Sequence, residues 1–336
     1  MRARRAVPLR GIIRRSKRLR FRQQTMRYLV TGGAGFIGSN IVEKLVEKGQ
    51  FVRVLDNFAT GQRANIEEFL SKIELFEGDI RDFWTVVRAT KDIDIVLHQA
   101  ALPSIPRSID NPLTTTEVNI NGTLNVLEAG RFNGVKRIVY ASSSSVYGDS
   151  PEMPKHEEMK PRPKSPYAIT KLAGEEYCLN FHALYGIETV ALRYFNIFGP
   201  RQNPHSQYSS VIPKFIRLLQ EGKKPTIWGD GTSSRDFTYI DNVVQANLLA
   251  CEMKSAPGHI INIACGRAFS INEMVEKLNG ILGTNIPGDH GPEKKGEVKH
   301  SLADIGKAKK ILGYEPKIGF EEGLRRTVEW FSRHNS

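Results

Sequence analysis

From Met26 onward, short apolar runs alternate with longer stretches of helical spacing. "RYLVT" (27–31), "FVRVLD" (51–56), "IELFEGD" (73–79), "IDIVLHQA" (93–100), "RIVYAS" (137–142) and "ETVALRY" (188–194) read as strands. Between them, "FIGSNIVEKLVEKG", "LTTTEVNINGTLNVLEAG" and "YAITKLAGEEYCLNFHALYG" have the length and periodicity of amphipathic helices, each ending near a glycine. Repeated strand–helix–strand units predict an α/β fold, a doubly wound parallel sheet covered by helices on both faces. Beyond about residue 197 the pattern shifts to a polar Pro/Asn/Ser loop, "FGPRQNPHSQYS", and mixed short elements, which predicts a smaller C-terminal mixed α/β domain. Residues 26–197 form the first domain, and 240–265 return to it.

Composition changes this picture little. Hydrophobic residues make up 40% and charged residues 25% of the chain, as in water-soluble globular proteins, and no apolar run has the length of a bilayer span. The three cysteines, Cys178, Cys251 and Cys265, lie far apart, which points to reduced thiols in a cytoplasmic protein. The eight histidines lack metal-ligand spacing, so no metal is expected, and His98 reads as a packed or cofactor-adjacent residue.

The net charge of +12 is concentrated in residues 1–25, which hold nine Arg, one Lys and no acid, leaving about +2 for the rest. As an export signal the tail lacks an apolar segment after Arg14-Arg15, and as a transit peptide it lacks serines beyond Ser16. The readings kept are a solvated, disordered tail or upstream sequence before a natural start at Met26. Contact with nucleic acid would be confined to this tail.

"VTGGAGFIGSN" follows the first strand and opens the first long helix. Its glycines fit both GxGxxG (Gly33, Gly35, Gly38) and GxxGxxG (Gly32, Gly35, Gly38), the Rossmann-like arrangement that lets a diphosphate approach a helix N-terminus. Asp56, 18 residues beyond Gly38, ends the next strand, where an acid accepts from ribose hydroxyls and repels a 2′-phosphate. That favours NAD over NADP; otherwise Asp56 is a strand-end turn residue. Further along, "SPYAITK" places Tyr167 and Lys171 four apart on one helix face, after the serine run "ASSSSVYGD". Taken alone, the pair is also consistent with helix decoration.

Together with "DNFATG", "GDIRD", "HQAAL", "NINGTLNVLEA", "RYFNIFGPRQ" and "GDGTSSRDFTYIDN", these motifs resemble the extended short-chain dehydrogenase/reductase family, and within it the nucleotide-sugar 4-epimerases, across residues 26–336. The resemblance implies oxidation of the sugar to a 4-keto intermediate, rotation about its linkage to the nucleotide diphosphate, and reduction on the other face with NAD regenerated. It assigns acid/base chemistry to Tyr167, lowering of the phenol pKa to Lys171, and a hydrogen bond to the reacting hydroxyl to Ser143. A phenol titrates near ~10, so acting as a base near neutrality requires lowering it by ~3, or ~4 kcal/mol. Tyr147 is expected to be structural.

By the same resemblance the cofactor lies against Gly32, Gly35, Phe36, Ile37, Gly38, Asp56, Asn57, Phe58, Thr60, Gly61, Asp79, Ile80, Gln99, Ala100, Ala101 and Tyr194, with Tyr167 and Lys171. The substrate falls to Ser104, Ser143, Ser144, Tyr167, Asn196, Val211, Arg235, Lys294, Glu297 and Ser301, with 198–239 and 266–336 forming the UDP-sugar-binding domain. Ser301 stands where a bulky tyrosine restricts some epimerases to unacetylated sugars, and it reads equally as an N-cap for "LADIGKAKKIL". Pro103 stands where close relatives carry glycine.

Dehydratases of the family place Asp-Glu after the catalytic Thr, and decarboxylases a Glu two positions after it. Here Ser144 and Ser145 follow Ser143, leaving C4 epimerisation. UDP-GlcNAc/UDP-GalNAc is the first expected pair and UDP-Glc/UDP-Gal the second, with acidic UDP-sugars as the alternative. A non-catalytic dinucleotide sensor would lack the Tyr/Lys pair. A homodimer through helices near 111–132 and 165–186 is implied.

Overall fold

The computed structural model describes residues 25–203, 211–293 and 299–334; Lys294, Glu297 and all but the last residue of the basic tail lie outside them. Among the described residues, seven strands form one sheet. These are β1 (Arg27–Thr31), β2 (Phe51–Asp56), β3 (Glu74–Glu77), β4 (Ile95–His98), β5 (Arg137–Ser143), β6 (Glu188–Tyr194) and a last strand, His259–Ile263. Spatially they run β3-β2-β1-β4-β5-β6 and then His259–Ile263, every pair parallel. The order reverses between β1 and β4, and the crevice above such a switch is where doubly wound sheets bind ligands.

Alternate residues of each strand feed separate cores. Val30, Leu97, Val139 and Ala141 pack with Ile41 and Leu45 of α1 (Phe36–Glu47) and Val243 of α8 (Ile240–Glu252). Leu29, Val96, Ile138 and Tyr140 pack with α2 (Phe83–Thr90), α5 (Gly122–Phe132) and α6 (Pro166–Tyr185) through Val86, Val126 and Phe181. Burial on both faces explains the unbroken apolar strands.

The expected helix over 113–130 is interrupted. Helix α3 (Ile105–Asp110) is followed by a short α4 (Pro112–Thr116), which runs into a π-turn, Glu117–Asn121, before α5 begins. Short strands carry the rest of the chain: Ser234–Arg235 pairs with Phe269–Ser270 and with His300–Ser301. Phe320 stacks on Phe237 and Phe269 beneath them, with ring centroids 4.9 and 4.4 Å away.

Candidate active site

A cleft of about 790 Å³ opens above the carboxyl ends of the strands. At one end is the glycine turn. Gly32 has φ +68°, and a Cβ on Gly38 would sit 2.1 Å from the Gly32 carbonyl oxygen, so the turn closes only without side chains there. The Gly35 N-cap of α1 supplies no side-chain acceptor, which leaves the first N–H groups of α1 facing the cleft.

Asp56 is buried, accepting from Ala34 N at 2.9 Å and Phe58 N at 2.8 Å. Burial raises its pKa and these backbone donors oppose the rise. The acid read as a ribose acceptor is thus also the clip that holds the glycine turn. Phe58, forced to φ +55° by this turn, does not line the cleft as expected; Arg63 lies over its ring at 4.5 Å. Asp79 accepts from Asn57 Nδ2 at 2.9 Å, from the Arg81 backbone N and twice from the Arg81 guanidinium, whose pull lowers its pKa. All the other expected cofactor residues line the cleft.

At the opposite end, Ser165 caps α6 by accepting from Ala168 N at 3.2 Å, and Pro166 occupies the first turn. That start puts Tyr167 at the helix mouth and Lys171 one turn deeper. Lys171 is 4% exposed; its Nζ donates to the Ala141 carbonyl at 2.7 Å and sits 5.9 Å from the Tyr167 ring centroid. Burial lowers its pKa to about 8, with Glu175 acting the other way. The Tyr167 phenol is raised by burial, and Ser143 opposes the rise. Burial and Ser143 are the influences on the phenol in the protein alone, before the positive nicotinamide ring that the expected lowering also invokes.

Ser143 ends β5 and caps the Ser144–Tyr147 turn, accepting from Ser145 N at 3.2 Å. His98 is neutral and packed, its nitrogens 2.7 Å from Thr31 Oγ1 and 3.0 Å from Thr123 Oγ1, and burial drives its pKa to about 3.

The substrate candidates divide. Ser104 lines the cleft at φ +98° while accepting from Arg107 N at 3.3 Å. Asn196, Arg235 and Ser301 gather instead around Asp236, outside the lining of that cleft. Asn196 Nδ2 donates to the Asp236 carbonyl at 3.1 Å, and Asp236 N to the Ser301 carbonyl at 2.8 Å. Ser301 pairs with Arg235 across parallel strands and caps no helix, since the following helix starts at Gly306. Val211 opens α7 (Val211–Gln220).

Three residues were missed by sequence reasoning. Arg81 lines the cleft from within the motif "GDIRD", and Arg107 from the segment "PSIPRS" that also carries Ser104. Asn119, in the π-turn, accepts from Leu102 N at 2.7 Å and donates to Thr170 Oγ1 at 3.1 Å, tying the cleft wall to α6.

A family profile described as "NAD dependent epimerase/dehydratase family" matches residues 28–264. The chain belongs to that family. Among similar proteins, a UDP-glucuronate 4-epimerase of Thermodesulfobacterium geofontis is 39% identical, covering 90% of this chain and 95% of its own. The solved UDP-N-acetylglucosamine 4-epimerase from Methanobrevibacter ruminantium, in complex with UDP-N-acetylmuramic acid, superposes at TM-score 0.88 with 39% identity, over 92% of this chain and 99% of that one. Thermus thermophilus UDP-glucose 4-epimerase, solved with NAD, gives TM-score 0.84 and 38% identity over 92% and 100%. NAD fits the cleft of this family member on its own features. The side-chain-free turn at Gly32 and Gly38 admits a diphosphate, α1 offers its N–H groups, and Asp56 lines the cleft beside them with an acid suited to ribose hydroxyls.

Proposed function

We propose that the chain catalyses reversible C4 epimerisation of a UDP-hexose through a 4-keto sugar. UDP-GlcNAc/UDP-GalNAc is the preferred pair, with UDP-Glc/UDP-Gal as a second activity. The observation that carries the reading is the distribution of acids along the cleft. Among the described lining residues the carboxylates are Asp56 and Asp79, both at the adenosine end, while the other end holds Tyr167, Lys171 and Ser142. A dehydratase or decarboxylase needs another acid or base beside the sugar, and Ser144 and Ser145 occupy those positions.

NAD, when bound, supplies the hydride acceptor and donor and a positive ring that favours the Tyr167 phenolate. Tyr167 takes the C4 hydroxyl proton and later returns it, Ser143 holds the reacting oxygen, and Lys171 stabilises the phenolate. Asn196 and Arg235 hold the diphosphate while the ketosugar turns, the guanidinium pairing with two phosphate oxygens. Ser301, small and beside Arg235, leaves room for a C2 N-acetyl group. Residues 26–197 with 240–265 serve the cofactor; 198–239 and 266–336 serve the UDP-sugar.

Arg107 in the cleft lining beside Ser104 favours a second reading, an epimerase of acidic UDP-sugars whose carboxylate the guanidinium meets. Separate incubations with UDP-GlcNAc, UDP-Glc and UDP-GlcA, followed by chromatography of the 4-epimers, decide between them. Conversion of UDP-GlcNAc supports the first reading, and conversion of UDP-GlcA alone the second. No conversion of any of them, with NAD added, overturns both.

The exposed apolar side chains Ile109, Leu113 and Ile169, on helices Ile105–Asp110, Pro112–Thr116 and α6, support a homodimer through this face. The free thiols Cys178, Cys251 and Cys265 fit a cytoplasmic protein, and no helix of the described residues is long and apolar enough to cross a membrane.

A further inference from the structure

Glu175 follows Lys171 by one turn and Tyr167 by two, so all three side chains leave the same face of α6 toward β5 and β6. It is fully buried. Arg193 on β6, 2% exposed, meets it with two parallel hydrogen bonds, Nε to Oε1 at 2.8 Å and Nη2 to Oε2 at 2.7 Å. The Ser142 hydroxyl donates to the same Oε1. Arg193 Nη1 finds no hydrogen-bond partner among the described residues, and the guanidinium lies 4.7 Å from the Tyr147 ring centroid.

As a means of holding a core together, such a pair is inefficient. Taking two charges out of water costs about what their attraction returns, and apolar side chains of similar volume fill the space at least as well. The position of this pair, under the serine corner and one turn from the buried lysine, has a different use.

We infer that Glu175 is a positioning residue for the reaction: its carboxylate, fixed by Arg193, keeps the Lys171 ammonium charged and holds the Ser142–Ser143 corner against α6. The inference rests on the proton-transfer roles given above to Tyr167 and Lys171. The groups facing Lys171 are Tyr167, Glu175 and Cys178 on its own helix, Tyr140 on β5, His98 on β4, and Arg193 behind Glu175 on β6. Burial raises Tyr140 and Cys178 and keeps His98 neutral, so the acidic side chain that faces Lys171 is Glu175, in its two hydrogen bonds with Arg193. Against the burial that drives Lys171 down to about 8, Glu175 is the largest opposing influence.

The test reads the lysine itself. In protein carrying Cε-labelled lysine, the Lys171 NMR signal, identified by its loss in Lys171→Arg, is expected to titrate near 8 in the wild type. It is expected to titrate lower by about one pH unit or more in Glu175→Gln, and near the wild-type value in Glu175→Asp, which keeps the charge. Glu175→Gln leaves Arg193 unpaired, so Glu175→Gln/Arg193→Met, which has no buried charge at this pair, is titrated alongside after its cooperative unfolding is verified. The same downward move is expected there. In both Gln variants a one-unit move takes the charged fraction of Lys171 at pH 7 from about 0.9 to about 0.5, so kcat there falls about twofold or more, KM stays near wild type, and the alkaline limb of the pH–rate profile follows the lysine.

An unmoved Lys171 titration in the folded double variant overturns the inference. So does a lysine that moves while the pH–rate profile stays put. Wild-type protein inactive on every UDP-sugar overturns instead the reading on which the inference rests.

Discussion

Asp236 makes folding stability depend on pH in a direction opposite to an ordinary surface aspartate. It is fully buried directly after the strand Ser234–Arg235. Its Oδ1 accepts from Cys265 N at 2.9 Å, and its Oδ2 from Gly266 N at 2.9 Å and Ala303 N at 3.3 Å, so one carboxyl joins three segments beside Arg235 and Ser301. Burial outweighs these donors and raises its pKa from 3.8 to about 6. That rise corresponds to ~3 kcal/mol. Because the folded pKa lies above the unfolded one, the contribution is fully present below about pH 4 and is lost as pH rises through about 6. Asp236→Asn does not titrate and leaves at least one N–H without its acceptor, a pH-independent loss of about 1–3 kcal/mol. Urea unfolding of both proteins, extrapolated to water at a series of pH values, gives the stability difference between them. The advantage of the wild type is expected to shrink by ~3 kcal/mol between about pH 4 and about pH 7. A constant difference, or one that grows with pH, would show that the three backbone donors outweigh desolvation and refute the reasoning.

Other outcomes follow from single contacts. Tyr167→Phe is expected to lower kcat by about 10²–10⁴-fold with KM little changed; steady-state kinetics with retained epimerisation would contradict the acid/base role. Asp56→Ala removes the acceptor for Ala34 N and Phe58 N. It should cost roughly 2–4 kcal/mol of stability without yielding NADP binding, to be checked by thermal unfolding and NADP titration; a stable, NADP-binding variant would disprove the clip. Ser104, held at φ +98°, is strained for an L-residue. Ser104→Gly should therefore stabilise by about 1 kcal/mol after the small loss of its cap, and a destabilised variant in denaturant titrations argues against strain there. Leu113→Asp/Ile169→Asp should convert the proposed dimer to monomer in light scattering, and an unchanged mass rules that face out.

The sheet was legible because its strands are buried on both faces. Runs such as "RYLVT" and "ETVALRY" need no tertiary information, and the expected ends agree with β1 and β6. The glycine turn and the Ser165-Pro166 start of α6 were legible for a similar reason, since a sharp turn and a helix cap each demand particular residues locally. What was lost depends on distant partners. The apolar periodicity runs straight through Glu117–Asn121, so the π-turn that aims Asn119 at Leu102 leaves no mark in the pattern. Ser301 reads as a cap from its neighbours, yet it pairs with Arg235 in an edge strand. Phe58 was assigned from its motif, but the Asp56 carboxylate that bends the turn is satisfied by backbone, which spacing cannot reveal. The rise of the Tyr167 pKa likewise depends on the packing of α6 against β5, not on the four-residue spacing to Lys171.

In the proposed reaction C4 is oxidised and re-reduced by a hydride that never leaves the protein. The most direct measurement supplies UDP-GlcNAc carrying deuterium at C4 to protein purified without added cofactor, in ordinary water, and locates the label in the 4-epimer by mass spectrometry and NMR. The 4-epimer is expected to retain deuterium at C4. An epimer whose C4 label has been exchanged for solvent hydrogen would contradict it, because the carbon-bound hydrogen would then have left as a proton.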